Sequence, residues 1–164
     1  MSVTDELLKN NEAYAACFTE APLPGHAGMK VAVVACMDAR MDVYAILGLR
    51  KGQAHVIRNA GGVVTDDAIR SLLISQQLLG TQEVILIHHT DCGMLTVRED
   101  DVKADVQNRC GFRPSFCLEA FSDLEDDVRQ SLARVQASPF LPRTDHVRGF
   151  VYEVDTGRLR EVKR

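Results

Sequence analysis

The sequence predicts an α/β fold: a mostly parallel central sheet with helices on both faces and an antiparallel strand at its C-terminal edge. Three observations carry this expectation. Val31–Cys36 and Glu83–His89 are almost wholly apolar runs, the pattern of strands buried on both faces. Segments with apolar residues at helical spacing lie between the strand candidates, and alternating strand and helix implies parallel pairing through crossover helices. Late in the chain, Asp155-Thr156-Gly157 separates two short strand-like runs with no helix between them, which reads as a hairpin.

Residues 4–18 read as a helix, with Thr4 as its N-cap and Leu7, Leu8, Tyr14, Ala15 and Phe18 roughly on one face. Pro22, Pro24, Gly25 and Gly28 detach it from the first strand, Val31–Cys36. An amphipathic helix so placed needs a surface to lie on, and a neighbouring subunit is a candidate. A short helix is expected at Val43–Leu47, ending at Gly48, then a second strand at Ala54–Asn59 that Gly61-Gly62 breaks. Thr65-Asp66-Asp67 caps a helix that turns Ile69, Leu72, Leu73 and Leu79 inward and closes at Gly80. Beyond the third strand, residues 99–109 read as helical and residues 111–121 as a loop carrying Phe112, Phe116 and Phe121. Ser122-Asp123-Leu124-Glu125 matches a capping box and opens a helix with Leu124, Val128, Leu132 and Val135 inward. The last strands are expected at residues 149–154 and 158–162.

A chain of 164 residues fits one domain, residues 1–164, in which residues 1–30 form an N-terminal helix and arm. An apolar fraction of 46% and a charged fraction of 26% are those of an ordinary globular protein. A net charge of -4 with no long basic run argues against nucleic acid as a partner. No stretch approaches the length of a membrane span, and the acidic first residues lack the apolar segment of a secretory signal. No membrane partner is therefore expected, and the expected location is cytoplasmic. Five cysteines, an odd number in a chain of this size, favour metal binding or free thiols over a disulfide framework.

The chemistry concentrates in two motifs at strand ends, Cys36-Met37-Asp38-Ala39-Arg40 and His89-Thr90-Asp91-Cys92-Gly93. In parallel sheets ligands bind beyond the carboxyl ends of the strands, where strand order reverses. If the first and third strands are neighbours, Cys36 and His89 meet there. Cys36, His89 and Cys92 offer two thiols and an imidazole, the ligand set of a catalytic zinc whose fourth position stays open. Water on such an ion loses a proton near neutral pH, so the set points to metal-assisted attack of water on a small carbon electrophile. Asp38 has two options. Turned inward, it is a fourth metal ligand that excludes water. Turned away, it pairs with Arg40, whose planar fork matches a carboxylate. Two states of the site follow, with activity favoured at higher pH.

His88 and His89 face opposite ways on a strand. His89, spaced to Cys92, is the expected ligand, and His88 reads as a packed or hydrogen-bonded core residue. Cys17, Cys110 and Cys117 have no histidine at ligand spacing and read as plain thiols. Gly61-Gly62 before a capped helix could cradle a phosphate, but the full glycine pattern and the lysine of a nucleotide loop are missing. Close backbone approach to the site suits these glycines better, and Gly61, Gly62 and Gly93 are candidate substrate-pocket residues. Asp66 and Asp67 read as ordinary first-turn residues.

Cys36-x-Asp38-x-Arg40, Arg58-Asn59-Ala60-Gly61-Gly62 and His89-x-x-Cys92-Gly93 resemble, in order and spacing, the three blocks of the β-class carbonic anhydrases. The resemblance runs from about Val31 to Gly93. It implies one zinc per subunit on Cys36, His89 and Cys92, an Asp38–Arg40 dyad controlling the fourth position, and reversible hydration of carbon dioxide to bicarbonate and a proton through zinc-bound hydroxide. It also implies a homodimer or an assembly of dimers, with the N-terminal helix over the partner. Members often use a glutamine from the loop before the first strand, and residues 20–30 contain none. Ala35 to Arg40 and His88 to Leu95 also resemble a small-subunit subgroup that includes carbonyl sulfide hydrolases, and related chains hydrolyse carbon disulfide. Carbonyl sulfide is therefore an alternative substrate, and one sulfur in a tight pocket changes binding by only about 1–3 kcal/mol, by analogy with a methylene. Two further readings are a non-catalytic zinc-stabilised interaction module and a nucleotide-binding domain built on the glycine pair.

Overall fold

The structure, a computed structural model, describes residues 2–163; Met1 and Arg164, the ends of the expected domain, lie outside the described residues. The elements in chain order are α1 (Val3–Ala16), β1 (Val31–Cys36), α2 (Val43–Leu47), β2 (Ala54–Asn59), α3 (Asp66–Gln77), β3 (Glu83–His89), α4 (Glu99–Cys110), α5 (Leu124–Ala137), β4 (Val147–Glu153) and β5 (Arg158–Glu161). The five strands form one sheet in the order β2-β1-β3-β4-β5. All neighbours are parallel except β4 and β5, which form the expected antiparallel pair.

Every residue of β1 is buried, as its continuous apolar run requires. Its alternate residues feed two cores. Ala32 and Val34 join Val84 and Leu86 of β3 under Ala68 and Leu72 of α3 and Val128, Leu132 and Val135 of α5. Val31, Val33 and Ala35 face the other way and pack with Met41, Val43 of α2 and Ile87. Helices thus cover both faces of the sheet. Among the described residues no helix is long and apolar enough to cross a membrane.

The parity that sorts the two cores also sorts the adjacent histidines. His88 points to the α5 side, where its Nε2 lies 2.6 Å from Asp127 Oδ2, and both residues are buried. It is the hydrogen-bonded core histidine expected from sequence. His89 points to the opposite side and into the site. The β1–β3 pairing, with Ala35 opposite Ile87, brings the carboxyl ends of both strands together at the point where strand order reverses.

Some boundaries differ from expectation. Ser2, rather than Thr4, caps α1. Its hydroxyl accepts from the Asp5 amide at 3.2 Å while Asp5 accepts from the Ser2 amide at 2.7 Å, a reciprocal box that starts the helix earlier. Asp123, not Ser122, caps α5 by accepting from the Asp126 amide at 2.9 Å. Leu79, expected inward, is exposed because α3 ends at Gln77, before this side chain can continue the inward stripe. The first helix α1 buries no residue. Lys51 meets α1 and the segment just after it: its Nζ lies 3.2 Å from the Tyr14 hydroxyl, 2.7 Å from Glu20 and over the Phe18 ring.

Candidate metal centre

Three side chains converge where β1 and β3 end. Cys36 closes β1, His89 closes β3, and Cys92 follows a tight turn. Asp91 makes that turn with a φ of 55°, a left-handed conformation that Asp tolerates better than most residues. The turn is held by Thr90, whose amide donates to the Tyr152 carbonyl and whose hydroxyl accepts from the Val154 amide. The ligand atoms of Cys36, His89 and Cys92 all lie within 4.8 Å of one another, and all three residues are buried.

The imidazole is poised for a metal. Its Nδ1 lies 2.8 Å from the Thr90 carbonyl oxygen, which can only accept, so the proton resides on Nδ1 and the lone pair on Nε2. That Nε2 is buried and has no hydrogen-bond partner. Such an orphaned acceptor costs about 1–3 kcal/mol, and a cation beside two sulfurs removes the cost. The ring carbonyl contact is the orientation device usual for metal-binding histidines. The Cys36 thiol is held well below its ordinary range, chiefly because the Cys92 thiol donates to it, against the opposing effect of burial. Cys92 is pushed up by the same contact and by burial. A divalent cation lets both sulfurs ionise together. Two soft thiolates and one imidazole suit zinc.

Asp38 stands at the edge of this cluster, its Oδ2 3.7 Å from His89 Nε2. It is turned toward Arg40, the second of the two expected options. Arg40 Nε donates to Oδ1 at 2.9 Å, Nη2 to Oδ2 at 2.8 Å, and the Arg40 amide to Oδ1 at 2.9 Å. The guanidinium contact, then the amide, holds the Asp38 carboxyl well below the usual carboxylate range. Arg40 also bonds Asp91, through Nη1 to Oδ2 at 2.8 Å and Nη2 to the carbonyl at 3.1 Å. It therefore joins the two motifs directly. The sequence assigns Asp91 no role beyond its place in the second motif.

The glycine pair sits behind the cluster. A Cβ on Gly62 would lie 2.8 Å from the Cys36 amide nitrogen and from the Ile87 carbonyl oxygen, the close backbone approach expected of it. A Cβ on Gly61 would meet Phe121 at 3.1 Å and Met94 at 3.4 Å, so Gly61 borders an apolar wall. Met94, Leu95, Phe121 and Tyr152 pack with Cys36 and Cys92 there. The space above Gly93 is open. Cys17, Cys110 and Cys117 are exposed free thiols away from this cluster.

Comparison with known proteins agrees with this geometry. A family model described as carbonic anhydrase matches residues 31–115. Beta-carbonic anhydrase 1 of Mycobacterium tuberculosis (strain H37Rv) is 56% identical over 162 residues, which cover 99% of each chain. The chain belongs to the β-class carbonic anhydrase family. Within that family, the crystal structure of carbonic anhydrase from Streptococcus mutans superposes with a TM-score of 0.92 at 43% identity, covering 99% of both chains. The family's relatives reach further in chemistry: a carbon disulfide hydrolase of Acidithiobacillus thiooxidans is 34% identical over 149 residues, 78% of this chain and 74% of that one.

Proposed function

We propose that this β-class carbonic anhydrase hydrates carbon dioxide reversibly to bicarbonate and a proton, at one zinc ion per subunit held by Cys36, His89 and Cys92. The observation that carries the reading is the buried, unpartnered His89 Nε2 facing two thiols, in a chain 56% identical along its length to a β-carbonic anhydrase. Zinc, when bound, supplies a Lewis-acid centre that brings the pKa of water near neutrality. The chain's own residues do the rest. Asp38, kept ionised and turned aside by Arg40, leaves the fourth position free and accepts an O–H hydrogen bond from the attacking water. The apolar wall of Met94 and Phe121 receives a neutral, linear substrate and keeps bulk water from competing. Oxygen adds to the substrate carbon, one proton leaves to solvent, and bicarbonate departs.

A second substrate deserves its own arm of the test, because carbon disulfide hydrolases share a third of the aligned residues. Carbon dioxide is expected to exceed carbonyl sulfide and carbon disulfide in kcat/KM by orders of magnitude. A preference for either sulfur compound overturns the substrate reading. Asp38→Ala is expected to keep its zinc and change its pH–rate profile. Loss of the metal instead makes Asp38 the fourth ligand of a closed structural site.

The exposed apolar face of α1, with Leu7, Leu8 and Tyr14, together with exposed Phe18 just beyond it, supports a homodimer or an assembly of dimers in which this helix lies on the partner. Sedimentation equilibrium is expected to give at least twice the chain mass of 18.1 kDa. A monomer at micromolar concentration refutes the assembly.

A further inference from the structure

We infer that Arg58 is a positioning residue for the metal centre: its guanidinium clamps the backbone that carries both the first sulfur ligand and the carboxylate beside the fourth position. The inference rests on the zinc reading above. Arg58 lies on the edge strand β2, opposite Ala35, one residue before the pairing of Asn59 with Cys36. The β1–β2 ladder gives out just here, its last bond running from the Met37 amide to the Asn59 carbonyl at 2.8 Å. At this end of the ladder Arg58 adds side-chain donors to two main-chain carbonyls. Its Nε donates to the Cys36 carbonyl at 3.0 Å and its Nη2 to the Asp38 carbonyl at 2.6 Å.

Several features set this contact apart from an ordinary surface arginine. Among the described residues Arg58 forms no ion pair, so its charge is spent on two main-chain oxygens. Those oxygens belong to residues two apart, a span that a planar fork bridges and a point charge does not. The loop is fixed from its other side as well, where the Cys36 amide abuts Gly62 and the Met41 amide donates to the same Asp38 carbonyl at 3.0 Å. With the backbone held at residues 36 and 38, the Cys36 sulfur keeps its direction into the cluster. The Asp38 carboxylate can then cross the 3.7 Å toward His89 Nε2 only by rotating its own side chain. Without the clamp, the strand end that bears one ligand keeps fewer restraints at residues 36 and 38.

The test compares wild type with Arg58→Gln and Arg58→Lys, read by zinc content, by the rate of zinc transfer to a chromogenic chelator, and by kcat and KM for carbon dioxide. Outer-shell contacts of this kind change metal affinity or activity by about 10–100-fold. Both variants are expected to release zinc at least about 10-fold faster and to lose kcat with KM little changed. A lysine that fully restores zinc retention overturns the clamp, since charge alone would then suffice. So does a glutamine variant that melts earlier yet releases zinc at the wild-type rate, because the role is then merely structural. A rise in KM with kcat and zinc release unchanged also overturns it, assigning Arg58 to substrate binding. If wild type itself carries no zinc, the zinc reading fails, an outcome distinct from equal release rates in zinc-loaded proteins.

Discussion

Cys92→Ser is expected to give a folded protein without zinc and without hydratase activity. Serine fills nearly the same volume, and Cys92 lies at a loop rather than in the middle of a strand, so the fold has little reason to fail. The site has every reason to. Among the described residues three side chains converge on the candidate metal position, and a serine hydroxyl is neither ionised at neutral pH nor as soft a donor as thiolate. Losing a direct ligand costs more than the about 10–100-fold in affinity seen when only an outer-shell contact goes. Elemental analysis after extensive dialysis, paired with stopped-flow hydration and circular dichroism, checks all three parts of the expectation. Cys110→Ser is the control: that thiol is exposed and bonds only the Val106 and Phe112 carbonyls, so metal and turnover should be unchanged. Stoichiometric zinc in the Cys92 variant, or its loss in the Cys110 variant, refutes the ligand assignment.

What the sequence discloses here follows from which interactions are local. The first three strands β1, β2 and β3 and the short helix α2 were legible to the residue because their runs and glycine stops are written in consecutive positions. The ligand triad was legible because each motif is compact and parallel-sheet topology supplies the meeting point. The fourth strand was less so. It starts at Val147, before the expected residue 149, because Val147 and Arg148 pair with Val84 and Ile85 of β3, a partnership that local pattern does not show. Arg58 and Asp91 stand inside the motifs, yet the contacts they make, like that of Asp127, have no local signal. Each acts on a partner supplied by a different element, whether a carbonyl at the end of β1, the Arg40 fork or the His88 ring. Such contacts depend on the assembled sheet, and pattern reading along one chain does not reach them.

Gly62→Ala is the substitution expected to damage fold and site together. Gly62 has a φ of 74°, in the left-handed region that costs an L side chain about 1–2 kcal/mol. Its Cβ would press within 2.8 Å of the Cys36 nitrogen and the Ile87 oxygen and 3.1 Å of the Ala35 carbonyl carbon. All three are main-chain atoms of the two central strands, so no side-chain rotation relieves the contact. Overpacking of this kind adds about 1–3 kcal/mol. Together these amount to roughly 2–5 kcal/mol, a large share of the 5–15 kcal/mol that typically holds a domain together. The melting temperature is expected to fall by roughly 4–20 °C. Any relaxation must move the Cys36 backbone, so zinc retention should fall with it. Gly61→Ala separates strain from clash: it shares the positive φ, but its Cβ meets the side chains of Phe121 and Met94, which can yield. Gly93→Ala has open space and no positive φ and should be nearly neutral. Thermal melts of the three variants are therefore expected to rank Gly62 below Gly61 below Gly93. If Gly62→Ala melts with Gly93→Ala, the backbone contact behind the metal centre is not as close as the structure places it.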